Sequence, residues 1–137
     1  MNHKTITNWS GDMMFEATVP GGKIKFDADV EVGGQDGGVR PKPTMLSALA
    51  GCTGMDVVSL LKKMRAEVSA FRVEVDGNLT EEHPKFYDKV TVRYFFKGED
   101  LKKDKIEKAV DLSVNRYCGV FEMFRSFAKV THEIVYE

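Results

Sequence analysis

A long apolar run in the middle of the chain, MLSALAGCTGMDVVSLLKKMRA, is the feature that most constrains the fold. Its apolar residues lie on broad faces of a helix that we predict from about Met45 to Ala66, with Thr44 as its N-cap. The basic residues of KKMR stand where a helix C-terminus favours positive charge. A helix this apolar is buried on most sides, and a small chain has difficulty covering it alone. We therefore expect a homodimer in which a second copy covers one face.

The segments on either side of this helix read as strands in antiparallel groups. Before it, KTITNW, MMFEATV and KIKFDADV predict a three-stranded meander, followed by the glycine- and proline-rich loop GGQDGGVRPKP. After it, residues 69–80 and 87–98 alternate and predict an antiparallel hairpin. Asp100 or Asp104 then starts a second helix, a short helix follows near 120–127, and THEIVY forms a last strand. This order indicates an α+β fold in a single domain over residues 1–137.

Composition excludes several classes of function. The 20 basic and 21 acidic residues nearly cancel, so neither nucleic acid nor an anionic membrane is expected as a partner. The apolar stretch 45–61 reads as too short and too polar to span a bilayer, and MNHKTITNW lacks the apolar core of a signal peptide. We therefore expect a cytoplasmic protein. The three histidines have no paired ligand spacing, so no metal site is expected.

The chain has only two cysteines, and one of them, Cys52, lies in the apolar helix. Asp56 is one helical turn further on, hence on the same face. A nearby carboxylate and burial both disfavour a thiolate, so a reactive Cys52 needs a cation from elsewhere, and Arg40 and Lys42 are nearest in sequence. The plain alternative is a buried cysteine that packs as a small apolar side chain.

The segments GGVRPKPTMLSALAGCTGMDVVSLLKKMR and AVDLSVNRYCGVFEMF resemble the OsmC/Ohr family of thiol-dependent hydroperoxide reductases, and most closely its YhfA-like branch. The resemblance covers most of the chain. It implies an OsmC-like fold, an intertwined homodimer with antiparallel sheets wrapped around central cysteine-bearing helices. It also implies that small organic hydroperoxides are reduced by Cys52 as the peroxidatic cysteine and Cys118 as the resolving one. A dithiol then reopens their disulfide, and no metal or other cofactor takes part.

One departure from the family pattern concerns the cation that activates the thiolate. Members of the peroxidatic branch pair the thiolate with an arginine from the N-terminal strands, which is held by a glutamate just before the cysteine helix. Here Lys42 and Pro43 occupy the expected glutamate positions, and no arginine precedes Arg40. We therefore take Arg40 as the candidate cation, with a solvated loop arginine as the equal alternative.

Two other functions remain open at this point. The protein could be a non-catalytic dimer that binds a small ligand or senses redox state, with apolar walls drawn from the following residues: Met45, Leu49, Met55, Phe121, Met123 and Phe124. Such residues are more often plain core. The third interpretation is a structural protein with inert thiols, in which a thiol reagent labels neither cysteine.

Overall fold

The N-terminal strands form the antiparallel meander that the sequence predicts. In the computed structural model, which describes residues 1–137, β1 (Ile6–Gly11), β2 (Met14–Val19) and β3 (Gly22–Phe26) pair in chain order. Tight turns join them, and Asp12 adopts a positive φ of 50° in the first. These strands belong to the first of two compact units, residues 1–45, and the second unit is 46–137. The prediction of one domain over the whole chain stays a prediction.

A buried aspartate organises the glycine-rich loop that follows β3. Asp27 accepts hydrogen bonds from the backbone N–H groups of Ala28 at 2.8 Å, Gln35 at 3.1 Å and Gly37 at 2.9 Å. The Gly37 bond has the largest effect, and together these donors hold the pKa of Asp27 below its usual value. The loop, which includes a short 3₁₀ turn over Val30–Val32, is therefore tied to one carboxylate.

The apolar run forms one helix, α1 (Pro41–Lys63). The predicted start at Met45 is wrong by four residues, because proline fits the first turn of a helix, where its missing N–H has no partner to lose. The predicted N-cap is wrong for the same reason: Thr44 lies inside the helix, where its hydroxyl donates to the Arg40 carbonyl at 2.7 Å.

Only one stripe of α1 is buried, namely Leu49, Thr53, Val57 and Leu61. The prediction that α1 is buried on most sides is therefore wrong for a single copy, in which Met55 is 76% and Val58 is 53% exposed. By length and composition the 23-residue helix could cross a membrane, whereas the shorter stretch 45–61 was predicted to be too short and too polar to do so. The core helix of a soluble protein can have the same length and composition, so one such helix is weak support for a membrane span.

The second unit is built on a three-stranded sheet with β5 (Tyr87–Lys97) in the centre. It pairs antiparallel with β4 (Ala70–Leu79), as predicted, and parallel with β6 (Lys129–Tyr136). The prediction that all strands group antiparallel is wrong for β6. Its parallel pairing requires a crossover between β5 and β6, and the two remaining helices lie in that connection.

The crossover contains α2 (Lys103–Leu112), a π-helical turn over Ser113–Tyr117, and α3 (Gly119–Arg125). Neither predicted aspartate caps α2, which begins after Lys102 without a side-chain cap. Alternate residues of β5 face the core with side chains from these helices: Val90, Val92, Tyr94, Phe96, Ile106, Val110, Phe121 and Phe124. The predicted α+β class is confirmed, and the homodimer stays a prediction.

Candidate active site

Cys52 lies on α1 beside the buried stripe, directly before Thr53. It is a free cysteine, half-buried, and its side chain packs against the core of the second unit. A Cβ built on Gly51 would meet no atom within 4 Å, so the helix surface next to the thiol is open there. Cys52 therefore combines packing on one side with access on the other.

Cys118 is buried at the junction between the π-helical turn and α3. Its backbone N–H donates to the Ser113 carbonyl at 2.9 Å, and its sulfur accepts from the Phe121 N–H at 3.3 Å, which caps α3. π-Helical turns within helical segments are rare and occur frequently at functional sites. This turn sets the position from which the second thiol projects.

The two thiols lie close enough to influence each other. The Cys52 side chain is among the groups that raise the pKa of Cys118, although the two residues are far apart in the sequence. The structure therefore brings together the two cysteines that the sequence singled out. Such proximity between the only two cysteines of a chain is the arrangement from which a disulfide forms by thiol oxidation.

Burial governs the acidity of the second thiol. The pKa of Cys118 is raised to about 12, and desolvation by burial is the largest cause. The hydrogen bond from the Phe121 N–H lowers this pKa, whereas Cys52 and Asp56 raise it further. The carboxylate of Asp56, which lies one helical turn from Cys52, therefore acts on Cys118. Near neutral pH Cys118 is a thiol, so it becomes a nucleophile only when its proton is removed as it reacts.

A chain of hydrogen bonds joins the helix that carries Cys52 to the turn that precedes Cys118. The Thr53 hydroxyl contacts the Tyr94 hydroxyl at 2.7 Å and the Ser113 hydroxyl at 2.7 Å, and Ser113 donates to Asp56 Oδ2 at 3.0 Å. Burial is the main cause that raises the pKa of Tyr94 to about 12. Asp56 could be singled out from the sequence, but its hydroxyl partner Ser113 and the two hydroxyls linked to Ser113, those of Thr53 and Tyr94, were missed. One signal for them was available: Thr53 interrupts the apolar stripe of α1, and a buried hydroxyl requires a partner.

Arg40, the predicted cation, lies in the first unit just before α1. Its guanidinium bonds Asp36 at 2.7 Å, approaches Asp29 at 3.8 Å and donates to the Gly38 carbonyl at 3.0 Å. The Asp36 hydrogen bond is the main cause that raises the pKa of Arg40. Two carboxylates therefore already offset its charge, and its role at Cys52 stays a prediction.

A second arginine, which the sequence analysis missed, lies on α3. Arg125 donates to the Val114 carbonyl at 2.8 Å, pairs with Glu122 at 3.1 Å and stacks on the Phe121 ring with its guanidinium carbon 4.6 Å from the centroid. These contacts tie α3 to the π-helical turn on which Cys118 depends.

The six residues that were predicted to form the apolar walls of a ligand site do not lie in one environment. Leu49, Phe121 and Phe124 are buried core, whereas Met45, Met55 and Met123 are exposed. An open groove of about 680 Å³ does lie between α1 and β4, and Met55 is among its lining residues. No cluster of three or more His, Cys, Asp or Glu side chains is placed to hold a metal ion.

We expect the stability of the protein to fall as pH rises from about 9 towards 12. The folded protein holds the Cys118 proton more tightly than the unfolded chain, whose thiol has a pKa near 9.0, so unfolding releases a proton in this window. The stabilisation is complete below pH 9 and is lost as pH rises through the folded pKa. Urea midpoints at about pH 7.5, 9 and 10 measure it. A Cys118→Ala variant should show a shallower alkaline decline, and an equal decline would contradict this assignment.

Known proteins share both the sequence pattern and the fold. The OsmC-like protein family model matches residues 33–133. Protein YhfA of Escherichia coli K12 is 35% identical over 101 residues, which cover 72% of this chain and 75% of YhfA. A hypothetical protein from Aquifex aeolicus VF5 superposes with a TM-score of 0.82 at 27% identity, over 100% of this chain and 98% of the other.

A third relative is more distant in sequence. The organic hydroperoxide resistance protein OsmC from Legionella pneumophila superposes with a TM-score of 0.72 at 15% identity, covering 98% of this chain and 97% of the other. At this identity the likeness concerns the fold. The family match spans both cysteines and the elements that carry them, and the resemblance inferred from the sequence is confirmed. This chain belongs to the OsmC-like protein family.

Proposed function

We propose that the protein is a thiol-dependent redox protein that reduces small organic hydroperoxides, with Cys52 as the peroxidatic and Cys118 as the resolving cysteine. The observation that carries the proposal is the proximity of the two thiols, which is close enough for Cys52 to affect the pKa of Cys118. Membership of the OsmC-like family supports a redox role, and the Legionella relative is named for organic hydroperoxide resistance.

The assignment of roles follows from exposure and acidity. Cys52 is half-buried on an open stretch of helix, whereas Cys118 is 4% exposed. A peroxide therefore reaches Cys52 first. Burial also raises the pKa of Cys118 to about 12, which suits a thiol that reacts only after its partner has been oxidised.

The chemistry takes two steps and a reductant. The Cys52 thiolate attacks the terminal peroxide oxygen, the O–O bond breaks, and the sulfur becomes sulfenic acid. The departing alkoxide takes a proton from water and leaves as an alcohol. The Cys118 sulfur then bonds the Cys52 sulfur, and the departing hydroxide takes the Cys118 proton and leaves as water. An external dithiol reduces the disulfide and is itself oxidised to a disulfide.

Arg40 completes the proposal as the cation that favours the Cys52 thiolate. It is the first arginine of the chain and stands at the entry to α1. Its pairing with Asp36 and Asp29 weakens the positive charge that it offers. An Arg40→Gln variant is therefore expected to slow the first oxidation, by about 10-fold or less.

The test is a titration of the reduced protein with tert-butyl hydroperoxide, followed by intact mass and free-thiol counts. We expect one equivalent to remove both thiols with a loss of about 2 mass units, since a disulfide forms. The Arg40→Gln variant is measured beside it, and an unchanged rate would remove Arg40 from the site. Survival of both thiols after an hour with equimolar peroxide would overturn the peroxidase proposal.

A redox-sensing or ligand-binding protein without turnover is the second candidate, which the groove between α1 and β4 favours. Its apolar lining includes Met55, Val58 and Phe71. This candidate gains support if the peroxide leaves the thiols intact, and it then predicts that Cys52→Ala retains the ligand.

We further propose that the protein is a cytoplasmic homodimer in which the exposed face of α1 contacts the same face of a second copy. Met55 and Val58 are exposed on a helix that has no charged residue between Lys42 and Asp56. In a two-fold symmetric dimer the same patch of each copy forms the interface, so one apolar face on each copy is sufficient to form it.

A Met55→Glu variant should therefore shift the protein towards monomer, because a carboxylate would be buried without a partner in the interface. Light scattering after size exclusion measures the mass at several concentrations. Met123→Glu is the matched control, since Met123 is another methionine that is 64% exposed, on α3. A monomeric wild type, or equal effects of the two variants, would contradict the dimer.

A further inference from the structure

Ser113 is bonded to both of the segments that carry the cysteines. Its hydroxyl contacts Thr53 at 2.7 Å and Asp56 at 3.0 Å, and both residues follow Cys52 within one turn of α1. Its carbonyl accepts the backbone N–H of Cys118 at 2.9 Å across the π-helical turn. One residue thus links the helix of the first thiol to the backbone of the second.

The direction of each hydrogen bond in this chain follows from the number of protons available. The Ser113 hydroxyl donates its single proton to Asp56 Oδ2. Thr53 must then donate to Ser113, and Tyr94 to Thr53. Asp56 also lines a surface cavity of about 320 Å³, so this series of hydrogen bonds ends at a solvated carboxylate. Thr53, Ser113 and Tyr94 have no exposed surface.

This chain of hydrogen bonds connects three elements, and its three hydroxyls are fully buried. Thr53 and Asp56 belong to α1, Tyr94 to the central strand β5, and Ser113 to the turn before Cys118. Buried hydroxyls with all their partners in place rigidify their surroundings, because any displacement leaves a polar group unpaired in a low dielectric. The relative placement of α1 and the π-helical turn is therefore well defined at this point.

We propose that Ser113, with Thr53 and Asp56, is a positioning residue that aligns the Cys118 sulfur with the Cys52 sulfur for disulfide formation. This inference rests on the proposed function and names the residues that govern its second step. In that step the S–S bond forms while the S–O bond of the Cys52 sulfenic acid breaks. The attacking sulfur must lie opposite that S–O bond, and small misplacements of reacting atoms cost large factors in rate.

The test compares three variants. Ser113→Ala removes the hydroxyl that joins the segments, Thr53→Val removes its partner with little change in shape, and Thr53→Ser retains a hydroxyl. Quenched samples after one equivalent of tert-butyl hydroperoxide give the sulfenic, sulfinic and disulfide forms by intact mass. We expect disulfide formation to slow about 10-fold more than the first oxidation in Ser113→Ala and Thr53→Val, with more sulfinic acid. Thr53→Ser should remain near wild type.

A second measurement needs no peroxide. Equilibration of each protein with glutathione redox buffer gives the effective concentration of the two thiols, which should fall about 10-fold in Ser113→Ala and Thr53→Val. If wild type resists peroxide while this fall is seen, the alignment stands and the peroxidase function fails. An unchanged effective concentration, or equal slowing of both oxidation steps in all three variants, would overturn the inference.

Discussion

A Cys52→Ser variant is expected to lose hydroperoxide reduction by more than about 1,000-fold, the largest effect that we predict for any single substitution. A hydroxyl does not ionise near neutral pH and does not attack the O–O bond, so the first step has no nucleophile. The rate of peroxide loss in the presence of dithiothreitol measures the effect. The expected result for intact mass is no change after peroxide, because Cys118 is buried and protonated.

The matched control is Cys118→Ser, which removes the other sulfur of the same pair. This variant should still reduce one equivalent of peroxide, but its Cys52 should gain about 16 and then about 32 mass units as sulfenic and sulfinic acid. The two variants therefore separate the roles. If Cys118→Ser were inert and Cys52→Ser reactive, the roles would be reversed, and if both retained full activity, neither thiol would be catalytic.

A Phe96→Ala variant is expected to lose about 3 to 5 kcal/mol of unfolding free energy, the largest effect on stability. Phe96 is fully buried on the central strand, its ring stacks on Phe71 with the centroids 4.6 Å apart, and Tyr136 lies beside it on β6. Truncation leaves a cavity between three strands that cannot collapse without moving the sheet. Because the free energy of unfolding of a small domain is only about 5 to 15 kcal/mol in total, partial unfolding of the variant near 37 °C is expected.

Phe95, the neighbouring residue on the opposite face of β5, supplies the control. Its ring is half-buried under the Arg72 guanidinium, whose carbon lies 3.9 Å from the centroid. Phe95→Ala should cost about 1 kcal/mol, since it removes one cation–π contact and limited burial. Urea unfolding followed by circular dichroism gives both values. Equal losses in the two variants would mean that the core does not lie on the Phe96 face.

Local patterns were sufficient to predict most elements of this fold. Turn residues mark the ends of β1 to β3, and period-two alternation identifies β4 and β5, because half-buried strands carry that pattern whatever their partners are. The start of α1 was missed at Pro41, where the permissive role of proline in a first turn outweighed its usual role as a helix breaker. The parallel placement of β6 was missed because alternation carries no information on strand direction.

The residues of the candidate site, like the elements of the fold, could be predicted only in part from the sequence. Cys52 and Cys118 could be selected from the sequence because the chain has no other sulfur nucleophile and because their surroundings resemble a known family. Ser113 could not be selected, since its partner Thr53 is far away in the sequence and serines are common. The unusual π-helical turn could not be foreseen either, because no residue type in SVNRY specifies it.

That turn has a consequence for how homologous sequences are aligned. Its hydrogen bond from Cys118 to Ser113 spans five residues, one more than an α-helical bond, so the turn contains one residue beyond the regular helical count. Removing any one residue from Ser113–Tyr117 would restore the regular count and rotate the following cysteine by about 100° around the helix axis. A relative with a one-residue gap here would retain its second cysteine in the alignment but present it to a different neighbour. The length of this segment, as much as the cysteine itself, therefore identifies relatives that keep the thiol pair.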